Sequence, residues 1–410
     1  MKDFFEVATP AEVLALAQDF EPLPAERTPT TEALGRVAAR DILSPVNLPD
    51  FTRATMDGFA VMAEETTGAS EGSPIQFGLV GEVRMGEVPK VKVGPGEAAR
   101  IYTGGMMPEG ANAVVMDEYV SPVDDSLIEV MRPAAPGESV IRVGQDIAKG
   151  GGVIRQGDLL RPQELGALSG LGIIEVEVYR RPRVAIIATG DEVVDPSETP
   201  GPGQIRDINR FTLSALTTEA GGIALPLGIV KDDEVALKEK VRAALETSDM
   251  VLLSGGSSMG RRDYSVDVIN SMGAPGVLIH GVSIKPGKPL IFGRVGKKPV
   301  IGVPGHPASN MMVFQVFIKP VLHRLGGRRL KPYEEGPLAE AILTRNVPSA
   351  PGREDYIRVR LERKDGRLLA HPVLGSSGMI STMVKADGFI IIGFDEEGIA
   401  EGERVPVYSF

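Results

Sequence analysis

The spacing of apolar residues changes several times along the chain. Residues 10–17 and 31–41 repeat near every 3.6 positions, which predicts two helices within the first 44 residues. Thr9 ahead of Pro10 reads as an N-cap followed by proline at the first helical position. From about 45 to 140 the apolar runs are short (75–80, 99–102, 113–116 and 127–131) and bounded by Gly and Pro, which predicts a small β domain. Residues 141–177 return to Gly-punctuated turns with one short helix at 162–171. From 183 onward, strands at 184–189, 224–230, 250–254, 290–292 and 300–303 are interleaved with helices at 209–220, 233–247, 264–272 and 308–325. That alternation predicts right-handed βαβ units and a mostly parallel sheet, with ligands bound beyond the carboxyl ends of its strands. After about 332, runs at 356–361, 368–373, 388–394 and 404–408 predict a small barrel or sandwich, with Asp365-Gly366 and Glu401-Gly402 as hairpin turns.

Composition narrows the chemistry. The 410 residues suit two to four domains. There is no cysteine, which excludes disulfides, thiolate zinc sites, iron–sulfur ligation and cysteine nucleophiles. The four histidines (His280, His306, His323 and His371) are scattered, with no spacing that marks a metal site. Gly (49) and Pro (32) make up about a fifth of the chain against roughly 12% in average usage. With 42% apolar residues, that points to a globular chain rich in turns and backbone-built sites. The net charge of −11 argues against nucleic acid as a partner but leaves room for a local basic pocket. The first ten residues lack a signal-peptide pattern, and no run of about 18 apolar residues occurs, so a cytoplasmic chain with no membrane partner is expected.

The polar clusters fall at the predicted strand ends. Ser254-Gly255-Gly256-Ser257-Ser-Met-Gly260 joins a strand to a helix and reads equally as a phosphate cradle or as a tight turn. Lys285-Pro-Gly-Lys288-Pro is a proline-fixed turn carrying two cations, a candidate anion clamp or a solvated turn. Asp191, Glu192, Asp232, Asp233 and Asp263 recur near one rim, where hard oxygen donors suit Mg²⁺, while Asp232 also reads as the N-cap of the helix that follows. His306, between Pro304-Gly305 and Pro307, reads more readily as structural than as an anion contact. Spacing alone makes Asp57-Gly58 and Gly104-Gly105 ordinary turns.

Taken in order, these motifs resemble one family. They are Thr55-Met-Asp57-Gly-Phe-Ala, Tyr102-Thr103-Gly, Pro108-Glu-Gly-Ala, Gly144-Gln-Asp146-Ile, Thr189-Gly-Asp-Glu192, Asp207-Ile-Asn209, Asp232-Asp233, Ser254-Gly-Gly with Gly260 and Asp263-Tyr264, Lys285-Pro-Gly-Lys288-Pro, Pro304-Gly-His-Pro307 and Gly375-Ser-Ser377-Gly. The chain resembles the molybdopterin molybdenumtransferases, the MoeA and gephyrin E-domain family. The resemblance implies a multidomain α/β plus β chain in four parts. These are an elongated, helical and extended first domain over 1–44 and 141–180, and an inserted β domain over 45–140. A three-layer α/β/α domain with a mostly parallel, adenylyltransferase-like sheet follows over 181–330, then a C-terminal β-barrel-like domain over 331–410. It also implies a homodimer whose active site is shared between subunits, and transient contact with the adenylyltransferase and with apo-molybdoenzymes.

The implied reaction inserts molybdate into adenylylated molybdopterin, with Mg²⁺-dependent release of AMP. By resemblance, Asp57, Thr103, Asp146, Glu192, Asp232 and Asp263 are catalytic, and Glu192, Asp232 and Asp263 hold the metal. Gly255, Gly256, Ser257, Lys285, Lys288, Pro304, Gly305, His306, Pro307, Arg353 and Ser377 hold substrate. The chain departs from the family at His306 (commonly Asn), Ser257 (commonly Val) and Gly281 (Lys in some bacterial members), positions that bear on the choice between molybdate and tungstate. A tungstate-preferring paralogue, a molybdopterin adenylyltransferase and a non-catalytic dimeric scaffold are the competing readings. The segments flanking the α/β domain weigh against the adenylyltransferase, and the retained acidic and basic positions against the scaffold.

Overall fold

The computed structural model describes residues 7–255, 264–329 and 336–410. The chain forms two compact units. One comprises Met1–Arg40, Gln156–Arg161 and Val176–Phe410, the other Asp41–Arg155 and Pro162–Glu175.

The larger unit is built on a six-stranded sheet. Its order is Ile223–Val230, Arg183–Thr189, Met250–Ser254, Lys298–Val303, Ile291–Val295 and Pro275–His280. The first three pairings are parallel and the last two antiparallel. Burial on both faces explains the continuous apolar runs. Along Arg183–Thr189, Val184 and Ile186 pack into one core with Leu213, Phe314 and Phe317. Ala185 and Ile187 pack into the other with Leu237, Val241 and Val268. The N-terminal helix Pro10–Ala17 joins the first core through Val13 and Ala17. Thr9 caps it in a full capping box with Glu12.

Four expectations change here. Residues 31–41 are not a helix. Only Thr30–Glu32 forms a 3₁₀ turn, Gly35 takes a left-handed φ, and Val37 and Ala38 make β-bridges to Leu159 and Val178. The helix expected over 308–325 is α over Pro307–Val313, π over Phe314–Ile318 and α again over Lys319–Leu325. Pro320 has no N–H to give to an i−4 carbonyl, and the wider turn accommodates it. Asp233, not Asp232, caps helix Glu234–Thr247, accepting from the amides of Val235 and Ala236. Glu401-Gly402 joins strands with different partners, Gly398–Ile399 pairing with Val347–Pro348 and Arg404–Val407 with Ala339–Leu343. Asp365-Gly366 is the expected hairpin turn, with both residues at positive φ.

The C-terminal sheet runs Glu354–Lys364, Arg367–Pro372, Ala339–Leu343, Arg404–Val407, with Gly388–Ile392 on the other edge of the first strand. Phe389 and Tyr408 exchange backbone hydrogen bonds of 3.0 and 2.8 Å and close the ring into a barrel. Ile357, Val359 and Leu361 face its interior, while Tyr356 joins the α/β core beside Phe389. Ile284–Lys285 pairs in parallel with Glu354–Asp355, which ties the α/β sheet region to the barrel inside one unit.

The smaller unit holds a mixed six-stranded sheet. Its order is Ala113–Met116, Gly58–Val61, Glu97–Ile101, Ile75–Val83, Leu127–Val130 and Val120–Asp124. Phe59 and Ala98 enter one core and Ala60 and Ala99 the other, so both faces are covered. Among the described residues no helix is long and apolar enough to cross a membrane.

Candidate active-site cleft

The carboxyl ends of the parallel strands, the Lys285–Pro289 turn and the barrel segment 373–377 enclose a cleft of about 1310 Å³ within the larger unit. It gathers Glu192, Asp232, Gly255, Lys285, Lys288, Pro304, Gly305, His306, Arg353 and Ser377 from the sequence-derived set. Gly256, Ser257 and Asp263 lie outside the described residues. Pro307 is buried and opens the helix behind the loop.

Acid and base occupy different parts of this lining. Asp191, Glu192 and Asp232 crowd together on the strand-end loops. Partial burial, then Asp191 and Glu192, push the Asp232 carboxyl above its usual range. The charge of Lys231, whose Nζ donates to the carbonyls of Asp191 (2.9 Å) and Val193 (3.2 Å), offsets them only in part. Among the described residues no set of three acidic or histidine side chains is arranged to hold a metal. The hard carboxylate oxygens of Glu192 and Asp232 are the donor type that Mg²⁺ takes when water and substrate phosphates complete its shell.

The cations come from the turn and the barrel. Lys288 is exposed on the cleft and makes no ion pair among the described residues. Lys285 lies 3.7 Å from Asp355, whose buried carboxylate also accepts from Arg353 Nε at 2.7 Å. Arg353 is thus largely committed to Asp355. Arg358, not singled out in the sequence, is a second guanidinium at the cleft, with donors that remain unmet. It lines the cleft and is 7% exposed, and Nη2 donates to Gly375 O at 3.1 Å while Nε and Nη1 have no partner. Burial pushes its pKa down. The signal was strand alternation. Ile357, Val359 and Leu361 form an apolar face, which leaves Tyr356 and Arg358 on the opposite one.

His306 Nδ1 and Ser377 Oγ lie 2.8 Å apart, and Ala308 N donates to Ser377 O at 3.0 Å, so the proline-framed loop is tied to the barrel segment. Gly281 is buried at φ +96, so a lysine there would be strained, although its Cβ would lie 3.7 Å from Lys288 O and 3.8 Å from Val7, both on the cleft lining. Gly255 ends its strand at φ +106, and an added Cβ would collide with the carbonyl oxygen of Thr189. Gly255→Ala is expected to cost at least about 2 kcal/mol, a left-handed residue plus the clash, read as a lower denaturant midpoint.

A latch borders the rim. Asp195 accepts from Ser197 N (3.1 Å), Arg210 Nη2 (2.7 Å) and Ser197 Oγ (2.8 Å), which hold its carboxyl at about 2. A folded value below the unfolded one means that the stabilisation is complete above about pH 4. It is lost as pH falls toward 2. In thermal melts the fall in Tm between pH 5 and pH 2.5 is expected to be smaller for Asp195→Asn than for the wild type.

Asp57, Thr103 and Asp146 belong to the smaller unit. Asp57 Oδ1 accepts from Thr103 N (2.7 Å) and Oγ1 (2.8 Å), which lowers its pKa and joins the two turns that spacing alone could not distinguish from structure. Asp146 is exposed in a loop held by its own amide to Leu48 O at 3.2 Å.

The chain is similar to known proteins along nearly its whole length. Residues 8–172 match the family described as MoeA N-terminal region (domain I and II). Residues 185–324 match "Probable molybdopterin binding domain", and 340–410 match MoeA C-terminal region (domain IV). A molybdopterin molybdenumtransferase of Haemophilus influenzae is 34% identical over 381 residues, covering 92% of each chain. One of Bacillus subtilis is 31% identical over 380 residues, covering 92% of this chain and 87% of the other. The crystal structure of a molybdopterin biosynthesis moeA protein from Pyrococcus horikoshii OT3 superposes with a TM-score of 0.85 at 34% identity, covering 99% and 100% of the two chains.

Proposed function

Because the chain belongs to the MoeA family, we propose that it is a molybdopterin molybdenumtransferase acting at a late step of molybdenum cofactor biosynthesis, inserting molybdate into adenylylated molybdopterin with release of AMP. The observation that carries this reading is one cleft lined by Lys288 and Arg358 together with Glu192 and Asp232. Cations suit a substrate that bears phosphates and an oxyanion, and carboxylates suit the metal that phosphoanhydride cleavage uses.

Lys285, Lys288 and Arg358 bind and orient phosphate and oxyanion oxygens, with Arg353 fixed beside them on Asp355. Glu192 and Asp232, with Asp263, would hold Mg²⁺, which when bound would offset charge developing on the departing adenylate. The protein supplies no nucleophile. Water attacks the pterin-side phosphorus of the phosphoanhydride, the bond to AMP breaks and AMP leaves, and the two dithiolene thiols then displace one oxygen of molybdate as water. Two chains form a homodimer in which Asp57, Thr103 and Asp146 of one copy serve the cleft of the other. The four-part division is part of the same proposal.

The test is reconstitution of an apo-molybdoenzyme from purified chain, adenylylated molybdopterin, Mg²⁺ and either molybdate or tungstate. Activation with molybdate is expected. Activation with tungstate alone would assign the paralogue reaction, and none with either would overturn the reading.

A further inference from the structure

Two buried asparagines have no role in the chemistry above. Asn209 opens helix Asn209–Glu219, and its Nδ2 donates to Gly305 O at 2.8 Å. Asn310 is wholly buried, and its Nδ2 donates to Pro304 O at 3.2 Å and to Ser254 Oγ at 3.3 Å. Two consecutive carbonyls of one loop are therefore held by side-chain amides from two different helices.

The consequence lies in the amides. The peptide bonds on either side of Gly305 are trans. A trans peptide directs its N–H opposite to its C=O. With both carbonyls turned toward the buried asparagines, the N–H groups of Gly305 and His306 are turned away from them. Pro304, Gly305 and His306 line the cleft, with Gly305 and His306 exposed to it. Neither N–H has a hydrogen-bond partner among the described residues. Pro307 has no N–H, and Ala308 N is used by Ser377 O. The loop thus presents two adjacent free donors, the backbone arrangement that holds an oxyanion.

Resting on the molybdate-insertion reading, we propose that Asn209 and Asn310 are positioning residues for the oxyanion. They fix the carbonyls of Gly305 and Pro304 so that the amides of His306 and Gly305 are set for one tetrahedral oxoanion. Without them the loop's peptide planes are free to rotate, and donors that must be ordered on binding hold their ligand less tightly. The adenylylated pterin, bound by the lysines and Arg358, does not depend on these two donors.

The experiment compares wild type, Asn209→Ala, Asn310→Ala and Asn209→Gln, which keeps a donor. The KM for molybdate is expected to rise about tenfold or more in both alanine variants, the effect of one well-placed hydrogen bond. The KM for adenylylated molybdopterin stays within about twofold, since its contacts are elsewhere. Molybdate affinity measured by calorimetry weakens in parallel, and Asn209→Gln recovers part of both. If Asn310→Ala does not fold, Asn209→Ala decides. An unchanged molybdate KM, or equal losses for both substrates, overturns the proposal alone. A wild-type protein inert with molybdate overturns the functional reading and this proposal with it.

Discussion

Arg358→Met is expected to give a protein that is more stable but far slower. The guanidinium is 7% exposed, and only Nη2 is bonded, to Gly375 O. Nε and Nη1 are buried without partners, and burial already disfavours the charge. A buried cation with unmet donors costs the fold about 1–3 kcal/mol, which methionine would recover while filling a similar volume with a flexible apolar chain. Activity moves the other way. Loss of a preorganised donor at an anion site lowers turnover by about 10²- to 10³-fold. Lysine at this position would keep the charge but not the fork, so Arg358→Lys is expected to recover only part of the rate. Urea midpoints and reconstitution rates on the same samples decide it. A destabilised Arg358→Met would mean that the guanidinium has a structural partner, and an active one would remove it from the anion clamp.

This trade-off also marks where the sequence was readable. Apolar runs such as Val184–Ile187 had to be buried on both faces, and the alternation of strands with helices then set the parallel core and the end at which polar loops gather. Glycine and proline marked those loops, but it was the family resemblance that assigned Glu192, Lys288, Gly305 and His306 to one site, and the fold brings all four to one cleft. Pairing between side chains was not readable. That Arg353 is held by Asp355 while Arg358 is left with free nitrogens depends on which face of Glu354–Lys364 meets the cleft. Asp232 and Asp233 are adjacent and chemically alike, and only the helix start, one residue later than the obvious cap, separates a cleft carboxylate from a cap. Residues 31–41 carry a helical apolar period, but long-range bridges from Val37 and Ala38 outweighed local preference. Asn209 stood inside a recognised motif, yet its task is a hydrogen bond to a residue 96 positions away.

Asp57→Ala and Asp232→Ala are each expected to be inert alone and to regain about a quarter of wild-type activity when co-expressed, because a two-fold dimer with shared sites leaves one intact site in each mixed pair. Asp232 lies on the cleft with Glu192, and losing it removes one of two described carboxylates suited to Mg²⁺. Asp57 sits in the smaller unit, with its charge held ready by the amide and hydroxyl of Thr103. If each site used only residues of its own chain, every chain in the mixture would lack one of the two and nothing would be regained. With sites built from two chains, one site of a mixed dimer carries both lesions and the other carries neither. Random pairing makes half of the dimers mixed, which gives the quarter. Two affinity tags isolate the mixed dimer, where the recovery should double to about half. Mg²⁺ titration of that species should match the wild type, since its working cleft retains Asp232. Absence of recovery in the purified mixed dimer would refute the shared site and leave Asp57 with a role inside its own unit.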